Sequence, residues 1–264
     1  MQKLARHVRF SINPFLPEDS AGSNPFASKP AGEGLSIFLQ LCVELAGDVE
    51  PDTGFVVNVT EIDRCVRTFV VPLFAERIRE NFRNRRHMAT SAMAELLGSA
   101  WARLADKFGA AGLSKLILKL NPFRQISMDS EDPQMFYFGE KFEFAATHKL
   151  WNDEFSDRRN FEVFGKCANP AGHGHNYIVE VTVKTAEPGA LRIGEFERLV
   201  DRALIKAVDH KNLNVDVAQF ARTMPTVENI ARFAWDRLAD KFGQAALHCV
   251  TVWETDKTYS SYYG

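Results

Sequence analysis

The chain has 264 residues, with 32 Lys and Arg against 34 Asp and Glu, so its formal net charge is -2. At ~150 residues per domain, this length predicts two domains, each long enough to bury its own core. The near-zero charge balance removes any overall electrostatic case for nucleic acid or an anionic membrane as a partner. Hydrophobic residues make up 45% of the chain and charged residues 25%, which excludes a disordered or fibrous protein.

Targeting and cysteine content indicate the compartment. No stretch approaches the ~20 apolar residues of a membrane span, and the N-terminus lacks the apolar core of a secretory signal. The four cysteines, at positions 42, 65, 167 and 249, are too sparse for a disulfide scaffold. We therefore expect a cytoplasmic protein whose cysteines are free thiols.

An internal repeat organises the chain. Residues 101–109 (WARLADKFG) and 235–243 (WDRLADKFG) agree at eight of nine positions, at an offset of 134 residues. The same offset aligns Phe10 with Phe144 and Glu61 with Glu195. The repeat predicts two homologous units, residues 1–127 and 136–264, with the polar segment 128–134 between them.

The second half shows the predicted elements in order. Segments 141–146 and 177–183 have the β-branched and aromatic pattern of strands, and 195–208 carries the apolar stripe of a helix. Thr226 is a good N-cap for a second helix that ends at Gly243, and 248–254 predicts a closing strand. Repeated in the first half, this order predicts an α+β fold of two units, each an antiparallel sheet with two helices on one face.

Three histidines have a spacing suited to a metal. His173 and His175 are two residues apart at the start of a strand, so their imidazoles point to the same face. His148 follows Phe144 and Ala146 in strand register and projects to a definite face near the end of that strand. Three neutral imidazoles that leave one coordination position open form a catalytic Zn²⁺ site, which predicts zinc as the cofactor.

Other reactive groups accompany these histidines. Cys167 lies in a turn-rich loop six residues before His173, where a thiolate close to Zn²⁺ would have a depressed pKa and act as a base or nucleophile. The adjacent Asp209 and His210 follow a helix and could exchange a proton near neutral pH. Glu254 shares a strand face with valines, so its carboxylate is either paired or awaits a ligand with a planar pair of N–H donors, such as a pterin or guanine edge.

Five motifs, in order, resemble the 6-pyruvoyl-tetrahydropterin synthase family, which includes the 6-carboxy-tetrahydropterin synthase of queuosine synthesis. They are 142–148 (FEFAATH), 164–177 (FGKCANPAGHGHNY), 208–214 (VDHKNLN), 225–229 (PTVEN) and 253–256 (WETD). The resemblance covers roughly residues 136–264. It implies tunnelling-fold (T-fold) units that join edge to edge into a β-barrel homo-oligomer, with active sites at unit interfaces.

The resemblance also implies a role for each of these residues. It makes His148, His173 and His175 the Zn²⁺ ligands, Cys167 the proton-abstracting thiolate, and Asp209 with His210 a proton-transfer pair. Glu254 would anchor the pterin ring, helped by Thr226 and Glu228. The implied activity is that of a carbon–oxygen lyase which acts on 7,8-dihydroneopterin triphosphate with loss of triphosphate.

Two alternatives stay open. The five residues between Cys167 and His173 resemble the pyruvoyl-forming branch more than the queuosine branch, but 6-carboxy-5,6,7,8-tetrahydropterin synthase remains the alternative enzyme. A non-catalytic pterin- or purine-binding barrel with structural zinc is the alternative of another class. The presence of Cys167, Asp209 and His210 speaks against this binder, because a binder needs only Glu254 and the pocket walls.

The first half has lost the reactive positions. The 134-residue offset places Pro14, Ala75, Glu76, Ala92 and Leu120 at the positions of His148, Asp209, His210, Thr226 and Glu254. With a short gap, Glu33 and Leu35 align with His173 and His175. We therefore expect a degenerate, non-catalytic first unit. The run Arg83-Asn-Arg-Arg-His87 is either a phosphate site or a solvated charge run. The second half departs from the family at 189–194, where an Asp or Asn usually precedes the first helix.

Overall fold

A computed structural model of residues 1–264 shows two compact units. Unit 1 comprises Met1–Phe138 and Thr185–Leu191, and unit 2 comprises Gly139–Lys184 and Arg192–Gly264. The repeat in the sequence gave no sign that Thr185–Leu191 belongs with the first unit. No helix in the chain combines the length and the apolar character that a membrane crossing requires.

Unit 1 is an antiparallel sheet with helices packed against it. Its strands pair in the order β1 (Gln2–Ile12), β2 (Ile37–Gly47), β3 (Gly112–Asn121) and β4 (Arg124–Asp129). Its helices are α1 (Val59–Cys65), α2 (Val71–Arg83) and α3 (Thr90–Leu104), with a π-helical turn at Val66–Val70 between the first two. Phe10 of β1 is fully buried and meets Phe74 of α2 edge to face, with ring centroids 5.9 Å apart.

Unit 2 has the same kind of sheet with more irregular connections. Strand β5 (Phe136–His148) neighbours β6 (His173–Thr185), which pairs antiparallel with β8 (Ala246–Thr255), and β8 pairs with β9 (Thr258–Tyr262). The two-residue strand β7 (Lys211–Asn212) runs parallel to β5. The helices are α4 (Asp157–Phe164), α5 (Ile193–Val200), α6 (Lys206–Val208), α7 (Leu213–Asp216) and α8 (Val227–Leu238). The predicted α+β class, with an antiparallel sheet, is confirmed.

The boundaries show where sequence patterns were informative. The three predicted strands lie inside β5, β6 and β8, and Thr226 caps α8 by accepting a hydrogen bond from Asn229 N. Helix α8 ends at Leu238 and not at Gly243, because Ala239 already has an extended ψ of 141°. Helix α4 was not predicted, because its eight residues carry no long apolar stripe. Its one buried side chain is the polar Asn160, while Phe161 and Val163 are exposed.

The strand pairing repeats between the units. Gln40 pairs with Lys119 in unit 1 and Ile178 pairs with Trp253 in unit 2, so β3 and β8 keep the 134-residue offset while β2 and β6 differ by 138 residues. The register shift after Glu44 recurs after Thr182 at this same 138-residue offset.

This register corrects one detail of the sequence alignment. A 138-residue offset places Leu35 and Ile37, and not Glu33 and Leu35, at the positions of His173 and His175. The expectation that no imidazole stands at either position in unit 1 is unchanged, because both replacements are aliphatic.

One buried ion pair fixes the loop that follows β1. Asp19, whose side chain is 4% exposed, pairs with Arg79 of α2, whose side chain is 16% exposed. The Asp19 carboxylate also accepts a hydrogen bond from Asn13 N at 2.7 Å, and Arg79 Nε donates to Asn13 O. The pair therefore attaches residues 13–19 to α2.

We expect Arg79→Ala to lower the free energy of unfolding by about 3 kcal/mol, because it leaves the buried Asp19 carboxylate without its counter-charge. Arg77→Ala is the matched control on the same helix. Arg77 is 45% exposed, and its Nε lies as far as 4.0 Å from the Glu80 carboxylate. The loss of this weak, exposed ion pair should change the free energy of unfolding by less than about 0.5 kcal/mol. Urea unfolding followed by circular dichroism measures the stability of both variants. An equal loss of stability in the two would contradict the conclusion that the Asp19–Arg79 pair attaches the loop to α2.

Candidate metal centre

Three imidazoles and one carboxylate of unit 2 converge on one point. His148 ends β5 and is 1% exposed, while His173 and His175 open β6 on the face that also buries Tyr177. Strand β8 pairs with β6 and brings in Glu254. One ligand atom from each of His148, His173, His175 and Glu254 lies within 4.8 Å of all the others. The structure thus brings the three predicted histidines together.

The hydrogen bonds of His148 determine which of its ring nitrogens is free. Its Nδ1 lies 2.8 Å from Pro225 O, and a carbonyl oxygen only accepts, so Nδ1 carries the proton. Burial lowers the pKa of His148 below its usual value, so the ring is neutral and Nε2 presents a lone pair. That Nε2 atom lies 3.0 Å from His173 Nε2 and 3.2 Å from Glu254 Oε1.

These converging acceptors fit a cation. The Glu254 Oε1 atom is also 3.2 Å from His175 Nε2, which makes no hydrogen bond and is buried. Burial likewise lowers the pKa of His175, which favours its neutral form. Lone pairs held face to face in a buried cluster repel unless a positive charge lies between them, and His148 has the second hydrogen bond typical of a metal-bound imidazole. The four residues can therefore hold a metal ion.

Tyr177 forms the apolar floor of the cluster. It is fully buried, stacks on Phe144 at 4.9 Å and contacts the rings of His148 and His175 edge-on. Burial raises the pKa of Tyr177, and the charge of Glu254 adds to this, so the side chain is a neutral phenol. Its hydroxyl has no hydrogen-bond partner. Sequence reasoning missed this residue, although it lies two positions after His175 on the same strand face.

Cys167 lies in a 3₁₀ turn, Gly165–Ala168, that follows α4. Its carbonyl accepts a hydrogen bond from Leu150 N at 2.9 Å, which ties the turn to the chain just after His148. Burial raises the pKa of the Cys167 thiol, and the charge of Glu254 raises it further. The depressed pKa expected from the sequence therefore requires a cation in the cluster to offset the carboxylate.

Asp209 and His210 form a fixed pair where the chain leaves α6. The Asp209 carboxylate accepts from Ala145 N at 2.9 Å, and His210 N donates to Ala145 O at 2.6 Å. The bond from Ala145, and then the bond with His210, lower the pKa of Asp209, which keeps it ionised. Its second oxygen is 2.9 Å from His210 Nδ1, and the His210 ring is 84% exposed.

An open pocket has one residue of the metal cluster and one of this pair in its lining. The pocket has a volume of about 680 Å³, and both His175 and His210 line it, together with residues of β5 and β7. Its size lies within the 300–1,000 Å³ that is usual for small-molecule sites.

The two remaining predicted residues, Thr226 and Glu228, lie at the start of α8. The Thr226 hydroxyl is already engaged as the cap of α8, and Glu228 is an exposed residue of its first turn. The neighbouring Pro225 is the residue that contacts His148.

Two asparagines that sequence reasoning missed shape the loop after His148. The Asn214 side chain both accepts from Lys149 N at 2.7 Å and donates to Lys149 O at 2.9 Å. The buried Asn160 accepts from Asn152 N and donates to Asn152 O. Asn214 lies inside the 208–214 motif, which was the available signal, whereas nothing in the sequence marked Asn160.

The second half of the chain is similar to known proteins. The family model described as 6-pyruvoyl tetrahydropterin synthase matches residues 138–264. The 6-pyruvoyl tetrahydrobiopterin synthase of Homo sapiens is 38% identical over 128 residues, which is 47% of this chain and 88% of that protein. The one from Drosophila melanogaster is 42% identical over 126 residues, which is 46% of this chain and 75% of that protein.

More distant matches have related names. The 6-carboxy-5,6,7,8-tetrahydropterin synthase of Aquifex aeolicus is 27% identical over 158 residues, with 46% of this chain and 93% of that protein covered. A solved structure of Caenorhabditis elegans 6-pyruvoyl tetrahydropterin synthase aligns at 30% identity with a TM-score of 0.45, covering 49% of this chain and 96% of that chain.

We expect Gly172→Ala to weaken both folding and divalent-cation binding. Gly172 has a φ of +72°, and a Cβ there would lie 2.9 Å from the carbonyl oxygen of His148. The strain should lower the free energy of unfolding by about 2–3 kcal/mol and shift His148. Gly243→Ala is the control, because Gly243 has a φ of +65° with open space around it and should lose only about 1 kcal/mol.

Urea unfolding in the presence of a chelator measures the stabilities of both glycine variants, and calorimetric titration with Zn²⁺ measures binding. Unimpaired cation binding by Gly172→Ala would show that this close approach does not position His148.

Proposed function

Because the chain belongs to the 6-pyruvoyl tetrahydropterin synthase family, we propose that unit 2 is a zinc-dependent carbon–oxygen lyase of the 6-pyruvoyl-forming type. Its substrate is 7,8-dihydroneopterin triphosphate, which loses triphosphate. The observation that carries this proposal is the convergence of His148, His173 and His175 with Glu254 within 4.8 Å.

Donor spacing supports zinc as the ion. Zinc bonds of ~2.0–2.1 Å in a tetrahedron place neighbouring donor atoms about 3.3 Å apart. The distances of 3.0 Å between the Nε2 atoms of His148 and His173, and 3.2 Å from Glu254 Oε1 to His148 Nε2, agree with this value. Three neutral imidazoles are also the ligand set of zinc sites that keep a coordination position open.

Glu254 has two proposed uses in this site. Without a substrate, its carboxylate would help to hold the metal ion, since Oε1 lies 3.2 Å from the Nε2 atoms of both His148 and His175. Its side chain is 19% exposed, so a substrate can reach it. We assign it to the planar N–H edge of the pterin ring, whose paired donors match a carboxylate.

The reacting groups are assigned by their surroundings. Zinc, when bound, supplies positive charge that polarises the substrate side chain. Cys167 acts as the base that removes a side-chain proton, since neutralising the charge of Glu254 removes one cause of its raised pKa. Asp209 holds the proton of His210 on Nδ1, which leaves Nε2 free to accept or donate a proton at the pocket.

The alternative enzyme is 6-carboxy-5,6,7,8-tetrahydropterin synthase of queuosine biosynthesis. The similarity to the Aquifex aeolicus protein favours it, but the 27% identity there is below the 38% and 42% of the 6-pyruvoyl relatives. The five-residue spacing between Cys167 and His173 also favours the pyruvoyl-forming reaction. A non-catalytic pterin- or purine-binding barrel leaves the Asp209–His210 pair without a use.

Unit 1 is proposed to be a tandem copy that has lost catalysis. The matching register shifts in both sheets, together with the 101–109 and 235–243 repeat, support duplication. Pro14, Leu35 and Ile37 at the three histidine positions leave unit 1 without imidazole ligands. We propose that its strands complete a T-fold β-barrel in a homo-oligomer.

We expect one zinc ion per chain. His173→Ala should remove most bound zinc, because it deletes one of three imidazole ligands, whereas His87→Ala, an exposed histidine of unit 1, should retain it. Elemental analysis of chelator-washed and zinc-reloaded protein measures the ratio. Two zinc ions per chain, or full retention by His173→Ala, would contradict this assignment.

Incubation with 7,8-dihydroneopterin triphosphate should release triphosphate and yield 6-pyruvoyl-tetrahydropterin. Cys167→Ala should slow turnover at least ~100-fold, the usual effect of losing a general base, while Cys42→Ala in unit 1 should not. Mass spectrometry of the products gives the result. A 6-carboxy product would indicate the queuosine enzyme, and parental turnover by Cys167→Ala would exclude the thiol as the base.

A further inference from the structure

A second pocket lies in unit 1, at the repeat position of a lost metal ligand. Pro14, which replaces His148, is one of its walls. The pocket has a volume of about 590 Å³ and is lined by Pro14, Phe15, Phe82, Arg83, Arg85 and Arg86. Three of these six side chains are cationic and none is acidic. In a chain with a net charge of -2, this cluster is a local concentration of positive charge.

The end of α2 adopts a geometry that Arg85 does not favour. Arg86 N donates to Asn81 O at 2.8 Å and Arg85 N donates to Phe82 O at 3.1 Å, the two bonds of a Schellman motif. This places Arg85 in the left-handed region with a φ of +51°, where glycine is the usual residue. Glycine at position 85 would be more stable than arginine, so a reason other than stability is needed for the presence of a guanidinium group there.

Two phenylalanines present exposed ring surface beside these arginines. Phe15 and Phe82 are 70% and 45% exposed, and their rings meet edge to face at a centroid distance of 4.4 Å. The Asn13 side chain accepts a hydrogen bond from Phe15 N at 2.8 Å, and the buried Asp19–Arg79 pair attaches this loop to α2. The rings are therefore held in place before any ligand arrives.

We propose that this pocket, defined by its three arginines and two phenylalanines, binds a small planar heterocycle that carries a phosphate chain. Guanidinium groups bind phosphate oxygens in pairs, and an aromatic ring is a stacking surface for a heterocycle. The pocket volume falls within the 300–1,000 Å³ usual for such ligands. A nucleoside triphosphate and a pterin triphosphate share this chemistry, and the choice of probes distinguishes them.

The binding test titrates the full, zinc-loaded chain calorimetrically with GTP and with 7,8-dihydroneopterin triphosphate. The chain carries Cys167→Ala and Glu254→Gln, so that unit 2 neither turns over nor anchors the pterin. The tighter ligand identifies the ring, and both inorganic triphosphate and guanosine should bind at least tenfold more weakly than GTP. Arg85→Gly and Arg86→Gln should each weaken binding at least tenfold. Arg77→Gln, an exposed arginine on α2 outside the pocket, is the control and should bind like the parent.

Two features keep this test clear of folding effects and of unit 2. Arg85→Gly relieves the positive φ, so its unfolding midpoint should rise or stay constant while binding falls. Glu254→Gln removes the ring anchor of unit 2, so the binding measured in this background belongs to the unit 1 pocket. Parental affinity in both arginine variants would overturn the proposal.

Two other outcomes would also overturn it. Equal affinity for inorganic triphosphate and GTP would mean an anion site without ring recognition. Tighter binding of a single-stranded DNA oligonucleotide than of GTP, with a steep dependence on salt, would mean an extended nucleic-acid surface.

Discussion

The centre of unit 2 depends on lone pairs that face one another in a buried space. His148 is fixed as an acceptor at Nε2 because its Nδ1–H bonds to Pro225 O, and that acceptor faces His173 Nε2 and the Glu254 carboxylate. Such an arrangement is unfavourable without a proton or a cation between the groups. The surrounding structure holds it in place, since Tyr177 closes the floor and Gly172 lets the loop approach the carbonyl of His148 without a clash. A bound cation would therefore stabilise the fold and offset the Glu254 charge that helps to raise the pKa of the Cys167 thiol.

The two units share a strand register and differ in the residues that stand at matching positions. Their sheets share the same register shifts, so the positions of β-strand residues are comparable one by one. In unit 1, helix α2 continues through Ala75, whereas in unit 2 the chain leaves α6 at Asp209. Leaving the helix lets Asp209 and His210 bond to Ala145 of β5, which fixes the carboxylate beside the pocket. In unit 1, the same region keeps its helix and ends instead in the arginine-rich turn around Arg85.

Positive charge has a different use in each unit under this interpretation. In unit 2, three imidazoles and one carboxylate would hold a metal ion. In unit 1, the imidazole positions are apolar, but arginines and exposed phenylalanines line a pocket beside Pro14. Guanidinium groups remain charged at any physiological pH, so a site of this type would bind phosphate without a metal.

The sequence by itself determined the α+β class, the repeat, the strands that carry the histidines, and the family. These depend on periodicity and on residue types at fixed spacing, which are local. Only the tertiary structure decided that Glu254 lies against His148 and His175, that Cys167 has a raised pKa, and that Tyr177 and Pro225 belong to the site. These facts depend on contacts between residues far apart in the chain and on burial, which no local pattern encodes. Helix α4 escaped prediction for the same reason. Its buried residue is Asn160, whose side chain hydrogen-bonds to the backbone of Asn152 in a neighbouring loop, and such a contact leaves no apolar pattern in the sequence.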